Sequence, residues 1–384
     1  MSNILITFEV RDNTTDNNIT SLKGVLAEMN THVRVVKSSH VNSADLDWSD
    51  VILANRPNSI YSLEVIKSAK KTKRFVILSL DDDIINLPTN HPNYWKRKYT
   101  LKCLELGDVL MSTSPLILND YCEKYHLRPL LVNSYVKDED IKKIHKVSGK
   151  VKIVYPAGKD HIGLFNKYLH PFFDEFLRTY SDIVDVTFIG IEPQVEKSEA
   201  VHFVKGMPYK EYLEFMRTND FDIGLAPLDD EPFCARKYFA KYIEYAKYGI
   251  LGLYSAVKPY TYAVREGENG ILVNGAAEQW KESLLNLINE PDRIYGIVSN
   301  SQRDMREKFS ILNAVNNLSA HCPELESFQK RYSIYSIKIS HLAILCYRMK
   351  DFYVRLMFHL KDEGLSFVFH KTKLIKTWIK SDIF

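Results

Sequence analysis

The feature that most constrains this chain is an alternation that runs through it twice. Short, almost wholly apolar runs are separated by longer amphipathic stretches, and the pattern restarts after a charged interruption. In the first pass, Asn3–Val10, His32–Lys37, Val51–Ala54, Phe75–Leu80, Asp108–Met111 and Pro129–Val132 read as strands. Helices are predicted around Asn18–Met29, Tyr61–Lys70 and Pro115–Tyr125. Strands separated by helices imply βαβ units and a parallel sheet, and near-continuous apolar strands fit a sheet covered on both faces. The stretch DEDIKKIHKVSGK (Asp138–Lys150) is charged and polar and reads as a linker. Beyond it, strands are predicted at Val151–Tyr155, Val184–Gly190, Val201–Val204, Asp222–Ala226, Ile250–Tyr254 and Gly270–Val273. Helices are predicted at Leu164–Tyr180, Tyr209–Arg217, Arg236–Tyr248, Glu278–Asn289 and Pro291–Lys308. The expected architecture is α/β: two doubly wound Rossmann-like domains, 1–137 and 151–310, facing a cleft, with C-terminal helices over 311–384. Such sheets bind ligands beyond the carboxyl ends of their strands.

Composition narrows the function classes. The 384 residues are long enough for two or three domains and carry 51 basic against 48 acidic side chains. A net charge of +3 argues against a dedicated nucleic-acid binder. The charge is uneven: the segment from Arg331 to Phe384 carries +6 and the rest −3. The five cysteines are scattered without metal-ligand spacing, which suggests reduced thiols in a cytoplasmic setting. No P-loop or G-x-S-x-G elbow occurs, and the first βα turn, RDNTTDNN, has no Gly-x-Gly fingerprint.

The most informative stretch is Phe221–Asn274. At about 100° per residue, a helix over Arg236–Tyr248 would set Lys237, Lys241, Glu244 and Tyr248 in one polar stripe, with Phe239, Tyr242, Ile243 and Ala246 facing the core. A helix N-terminus with two lysines beside it suits a diphosphate. A carboxylate one turn on, Glu244, could accept hydrogen bonds from ribose hydroxyls. The plainer alternative is a surface helix in which Lys241 and Glu244 form an intrahelical ion pair.

The order of elements here resembles the nucleotide-sugar domain of group 1, family 4-like retaining glycosyltransferases of GT-B architecture. The resemblance is carried by an apolar strand ending GLAPL, an acidic loop with Phe233, then Lys237, Lys241, Glu244, Tyr245 and Ala246. Gly249, a strand ending at Ser255, Pro259–Tyr260, and Gly267 with Gly270 follow. Fainter likenesses lie in FVILSLDDDIINLPTNHP and in GDVLMSTSPLILNDY followed by LLVNSYV, with Asn133 at the usual Asn position. The resemblance implies sugar transfer from a nucleoside diphosphate sugar, with retention, to a glycan or lipid-linked acceptor in polysaccharide assembly. It implies a donor site with Lys241 and Lys237 as counter-charges, Glu244 on the ribose, and Phe233, Cys234, Arg236 and Ser255 around the donor. Lys159 and His161, in PAGKDHIG, are placed near its phosphates. Arg236 stands where the family carries the first glutamate of an E-x7-E pair, and Tyr238 where a subgroup carries serine. No cofactor is implied, because lysines can serve as the counterion. A non-catalytic sugar-nucleotide or glycan-binding protein on the same scaffold is the alternative that Arg236 suggests.

Three further features are open. Asp81 and Asp83 form a D-x-D at a strand end and could hold a divalent metal with a diphosphate. Asp82 or Asp83 could instead act on an acceptor hydroxyl, with His91 a further candidate base, or the acids could cap a helix. In the C-terminal region, Ile334–Leu360 is expected to pack on the body. Leu365–Lys380, with Trp378 among lysines, has the composition of a segment that lies on an anionic membrane.

Overall fold

The computed structural model describes residues 1–158, 161–329, 332 and 341–363. The first six strands are β1 (Asn3–Phe8), β2 (His32–Lys37), β3 (Val51–Asn55), β4 (Phe75–Ser79), β5 (Val109–Ser112) and β6 (Arg128–Leu131). Between them lie α1 (Asn13–Glu28), α2 (Ser43–Trp48), α3 (Ile60–Lys71), α4 (Arg97–Leu104) and α5 (Pro115–Tyr125). The strands form one parallel sheet in the order β2-β1-β3-β4-β5-β6. The first helix starts earlier than hydrophobic periodicity predicts, because the Asp12 carboxylate caps it, accepting from the Thr15 amide at 2.7 Å.

The second sheet is built from β7 (Val151–Pro156), β8 (Val184–Ile189), β9 (Val201–Val204), β10 (Ile223–Ala226), β11 (Leu251–Ser255) and β12 (Ile271–Val273). It too is parallel, in the order β12-β11-β10-β7-β8-β9. The predicted helix over Leu164–Tyr180 is two, α6 (Ile162–Tyr168) and α7 (His170–Tyr180), since Pro171 opens a new helix. Then come α8 (Tyr209–Thr218), α9 (Pro232–Ala235), α10 (Ala240–Tyr248), α11 (Ala277–Asn289) and α12 (Pro291–Glu307). The chain continues through α13 (Ile311–His321), α14 (Glu324–Ser327) and α15 (His341–Glu363).

Strand alternation divides the second core in two. Val151, Ile153 and Tyr155 join a phenylalanine-rich cluster with Phe165, Phe173 and Phe188. Val154 faces the other way, into a tyrosine-rich cluster with Tyr242, Tyr245 and Tyr254. The first sheet packs its own core of Leu5, Ile52, Val76, Leu78 and Leu110 against α3, α4 and α5.

Two compact units result: one holds Met1–Val132 together with the chain from Val315, the other Asn133–Ala314. The charged stretch read as a linker is fastened to the second unit. The Lys142 amide donates to Lys247 O (2.8 Å), the Gln302 side chain donates to Lys142 O (2.7 Å), and His145 Nε2 lies 2.9 Å from Asp222. The helix α15 packs on the first unit: Tyr347 meets Tyr61, Trp95 and Tyr99, and Asp351 pairs with Lys96 at 2.8 Å. Of the predicted tail, 333–340 and 364–384, and with them the expected membrane segment Leu365–Lys380, lie outside the described residues.

Candidate functional site in the second unit

In the second sheet the chain winds outward from β7 through β8 to β9, then returns to lay β10 on the other side of β7. The carboxyl ends of β7 and β10 are therefore the topological switch point, where an open α/β sheet leaves a crevice for ligand. On the β8–β9 side of it, two glycines bring the backbone close together. Gly190, after β8, has φ +84°, and a Cβ there would lie 2.5 Å from Ala157 O, at the end of β7. Gly206, after β9, brings its own backbone close to Gly190, with 3.6 Å from its ideal Cβ to the Gly190 Cα. Beside them is a recess of about 840 Å³ lined by Ile162, Ile191, Glu192, Phe203 and Lys205. Sequence reasoning missed this recess; its signal is the glycine two residues past an apolar strand in VHFVKGM.

From Gly206 the chain turns through Pro208 into α8, and α8 reaches α10. The Tyr212 hydroxyl donates to the Glu244 carboxylate, and Lys241 Nζ donates to the same oxygen, Oε1, at 2.9 Å. Lys241 is also 3.5 Å from the Tyr212 hydroxyl and lies over the Tyr212 and Tyr245 rings. Tyr209 stacks on Tyr212 with ring centroids 6.3 Å apart. Burial, with the Glu244 charge added, pushes the Tyr209 hydroxyl up to about 12 and raises Tyr212 and Tyr248 as well. The Glu244 side chain is 17% exposed and that of Lys241 29%, so both are half-buried rather than turned fully to water.

The predicted stripe of Lys237, Lys241, Glu244 and Tyr248 is not formed. The helix expected over Arg236–Tyr248 is interrupted: α9 ends at Ala235, α10 begins at Ala240, and Lys237 lies between them. Two consecutive aromatic residues explain the break. Tyr238 and Phe239 have ring centroids 4.3 Å apart; Phe239 is buried, and the Tyr238 hydroxyl accepts from the Ser134 amide at 3.1 Å. Non-helical backbone lets both rings turn inward. Tyr248 is buried too, and α10 ends at Gly249 in the left-handed conformation, φ +72°. Lys241 and Glu244 therefore form the i,i+3 ion pair of the plainer alternative, in a half-buried setting.

The other predicted donor residues are placed as follows. Lys237 lies over the Phe233 ring at 5.4 Å. Arg236 closes its own turn, donating from Nη1 to Pro232 O at 2.8 Å. Cys234 is half-buried, and burial raises its thiol. Ser255 Oγ accepts from the Leu228 amide at 2.8 Å, tying the loops after β10 and β11 together. His161 precedes α6, its amide donating to Gly158 O at 3.0 Å. Lys159 lies outside the described residues. In the acidic loop, Asp229 is held by Lys167 (2.5 Å) and Tyr168 (2.7 Å).

Beneath α10 is a polar cluster that the sequence did not single out. Asp304 accepts from Tyr242 (2.8 Å), Asn269 (2.7 Å), Arg265 (3.2 Å) and Lys308 (2.8 Å). Burial alone would raise the Asp304 carboxyl, but these donors hold it down at about 2. The cluster fixes the inner face of the helix whose outer face carries Lys241 and Glu244.

The acidic run of the first unit is structural in character. Arg56, at the left-handed φ of 49°, sets its guanidinium on Asp81 at 2.5 Å and on Asp82 at 2.7 Å, and Asn18 donates to Asp81 at 2.8 Å. Arg56 thus occupies both oxygens of Asp81, the first member of the D-x-D read as a metal pair with Asp83. Asp83 is 2% exposed and accepts from Tyr121 (2.9 Å) and Asn86 (2.9 Å), closing a turn rather than capping a helix. Both Asp83 oxygens are thus occupied by side chains of the first unit. Burial lowers the His91 imidazole, whose Nδ1 accepts from the Asn93 amide at 3.1 Å.

No protein-family model matches the sequence, and neither does any curated protein. Similarity appears among solved structures. The Anabaena protein HepE (Alr3699), in complex with UDP-glucose, superposes with a TM-score of 0.59 at 12% identity, covering 83% of this chain and 99% of its own. Sucrose-phosphate synthase from Thermosynechococcus elongatus gives 0.60 at 12% identity, with 85% and 99% covered. A putative UDP-N-acetylglucosamine 2-epimerase from Listeria monocytogenes gives 0.55 at 10% identity, with 84% and 97% covered. Two parallel α/β units, a helical C-terminal region and these neighbours agree: the chain has the GT-B fold.

Proposed function

We propose that this protein is a glycosyltransferase that moves a sugar from a nucleoside diphosphate sugar to a glycan or lipid-linked acceptor, with retention of anomeric configuration. Its place would be cell-surface polysaccharide or glycoconjugate assembly, at the cytoplasmic face of a membrane. The observation that carries the reading is the half-buried Tyr212–Glu244–Lys241 group, whose Tyr212 is on a helix that the chain enters directly from the glycine-edged recess after β8 and β9. The fold alone would not do so, since one scaffold serves many chemistries.

The parts divide the donor between them. The recess takes the base against the Gly190 and Gly206 backbone. Both contacts on Glu244 fall on Oε1, so Oε2 is the oxygen offered to a ribose diol. Lys241, drawn from its ion pair, meets the diphosphate. Arg236, Lys237, Lys159 and His161 are the other groups assigned to that charge, with Phe233, Cys234 and Ser255 shaping the surrounding loop. When the anomeric C–O bond breaks, negative charge grows on the departing diphosphate, and fixed cations stabilise it as it develops. On the acceptor side, Asp82, the more exposed of the acids, and His91 are the remaining candidates for the hydroxyl proton.

HepE is seen with UDP and UDP-glucose, which makes uridine nucleotides the first donors to try. A thermal-shift series with UDP, GDP and their glucose conjugates tests the site, because a ligand of the native state alone raises the melting point. The expected result is a rise with one base and little with the other; no rise with any nucleotide would refute the donor site. Arg236 in place of an acid favours the alternative of a non-catalytic sugar-nucleotide or glycan-binding protein. Binding without consumption of donor in the presence of lipid and glycan acceptors would establish that alternative.

A further inference from the structure

Among the described residues, large apolar side chains are left in water at thirteen positions, and five of these lie on α15. They are Leu342 (70% exposed), Leu345 (41%), Met349 (54%), Tyr353 (61%) and Met357 (46%). Steps of three and four residues put them on one face of the helix, and the exposed Cys346 falls within the same stripe. The opposite face is engaged: Tyr347 packs among Tyr61, Trp95 and Tyr99, Asp351 pairs with Lys96, and Arg348 donates to the Tyr61 hydroxyl at 2.9 Å. The outer stripe is therefore not the side by which α15 holds to the body.

A basic cluster flanks it. Lys350 lies over the Trp95 ring at 5.0 Å, and Lys98 over the Tyr99 ring at 4.9 Å. Partial burial, together with the like charges of Lys350 and Lys102, pushes the Lys98 ammonium below the ordinary lysine value. Three ammonium groups are thus crowded beside an apolar ridge, with tryptophan and tyrosine among them. This combination suits the boundary between headgroups and acyl chains, where apolar side chains enter and lysines meet phosphate.

We propose that the outer face of α15, with Lys98, Lys102 and Lys350 beside it, docks on an anionic lipid bilayer. Charge favours this occupant over two others. The chain beyond Glu363 carries four lysines against one aspartate, so it offers the cluster no net opposite charge. A second copy packed ridge to ridge with its helix antiparallel would bring like-charged flanks together. The surface is independent of the donor site, and its test needs no sugar nucleotide.

The test is flotation of the full-length protein with vesicles of phosphatidylcholine alone and of phosphatidylcholine mixed equally with phosphatidylglycerol. The protein should float with the mixed vesicles, less so as salt rises, and scarcely with the neutral ones. M349S/Y353S, which removes two exposed side chains and should leave the melting point unchanged, should weaken partition about tenfold. Lys98→Gln with Lys102→Gln and Lys350→Gln should abolish the preference for anionic lipid. Trp378→Ser in the terminal segment should leave a substantial part of the binding. Equal flotation of M349S/Y353S and wild type would overturn the proposal, as would flotation lost only through Trp378→Ser. It would also fail if sedimentation showed a dimer that M349S/Y353S dissociates while neither form floats.

Discussion

Lys241 and Glu244 neutralise each other at 2.9 Å in the structure, and the proposed reaction asks the lysine to exchange that partner for a diphosphate. The exchange is plausible energetically because the pair is only half-buried, so little is lost when water or ligand intervenes. Lys241→Ala is expected to lower kcat/KM by roughly 10²–10³, the usual cost of deleting one preorganised charge from a leaving-group site. Steady-state kinetics at saturating acceptor would check this, and near-normal turnover would remove Lys241 from the diphosphate. Asp304 supports a prediction about stability. Its carboxyl sits at about 2 against an ordinary 3.8, a depressed value, so its contribution is complete above about pH 4 and fades as pH falls toward 2. Asp304→Asn should cost about 2 kcal/mol at pH 7 and distinctly less near pH 3, measured by urea unfolding at both.

The break between α9 and α10 shows how an element departs from its periodicity. The pattern Lys237, Lys241, Glu244 fits a single helix, but Tyr238 and Phe239 both seek the interior, and burying two neighbouring rings outweighs the few hydrogen bonds lost. Periodicity reports which face of a helix is apolar, not whether two adjacent large side chains can share it. The β8–α8 edge shows the opposite case, in which backbone freedom sets the site. At Gly190 an added methyl would meet Ala157 O at 2.5 Å, and the φ of +84° disfavours any side chain. Gly190→Ala should destabilise the fold by about 1–3 kcal/mol and narrow the recess. Chemical denaturation and nucleotide titration should both register it; a variant with wild-type stability and wild-type UDP affinity would show that the close approach is not required.

At the scale of the molecule, residues far apart in sequence hold the first unit together. The helix α15 joins a unit whose first strand begins at Asn3, and the ion pair between Lys96 and Asp351 is almost fully buried, with side chains 7% and 6% exposed. Burial pulls the Lys96 ammonium down and Asp351 offsets part of that shift. Breaking such a pair leaves a buried charge uncompensated, so Asp351→Asn should cost about 3–5 kcal/mol. A fall in melting temperature without loss of nucleotide binding would place the effect in the first unit. A wild-type melting temperature would mean that α15 does not depend on this pair.

The sequence by itself determined the two rounds of strand and helix, because continuous apolar runs and amphipathic stretches carry their own local periods. It also singled out Lys241 and Glu244, since the order of residue types from the GLAPL strand to Ser255 is readable along the chain. Tertiary structure decided what local period cannot encode. It paired Glu244 with Tyr212 from another helix, filled the space between Asp81 and Asp82 with Arg56, buried Asp83 against Tyr121, and turned one face of α15 outward. Each of these depends on which distant segments the sheet order brings together. That order is fixed by how the whole chain buries its apolar surface, not by any stretch of it read alone.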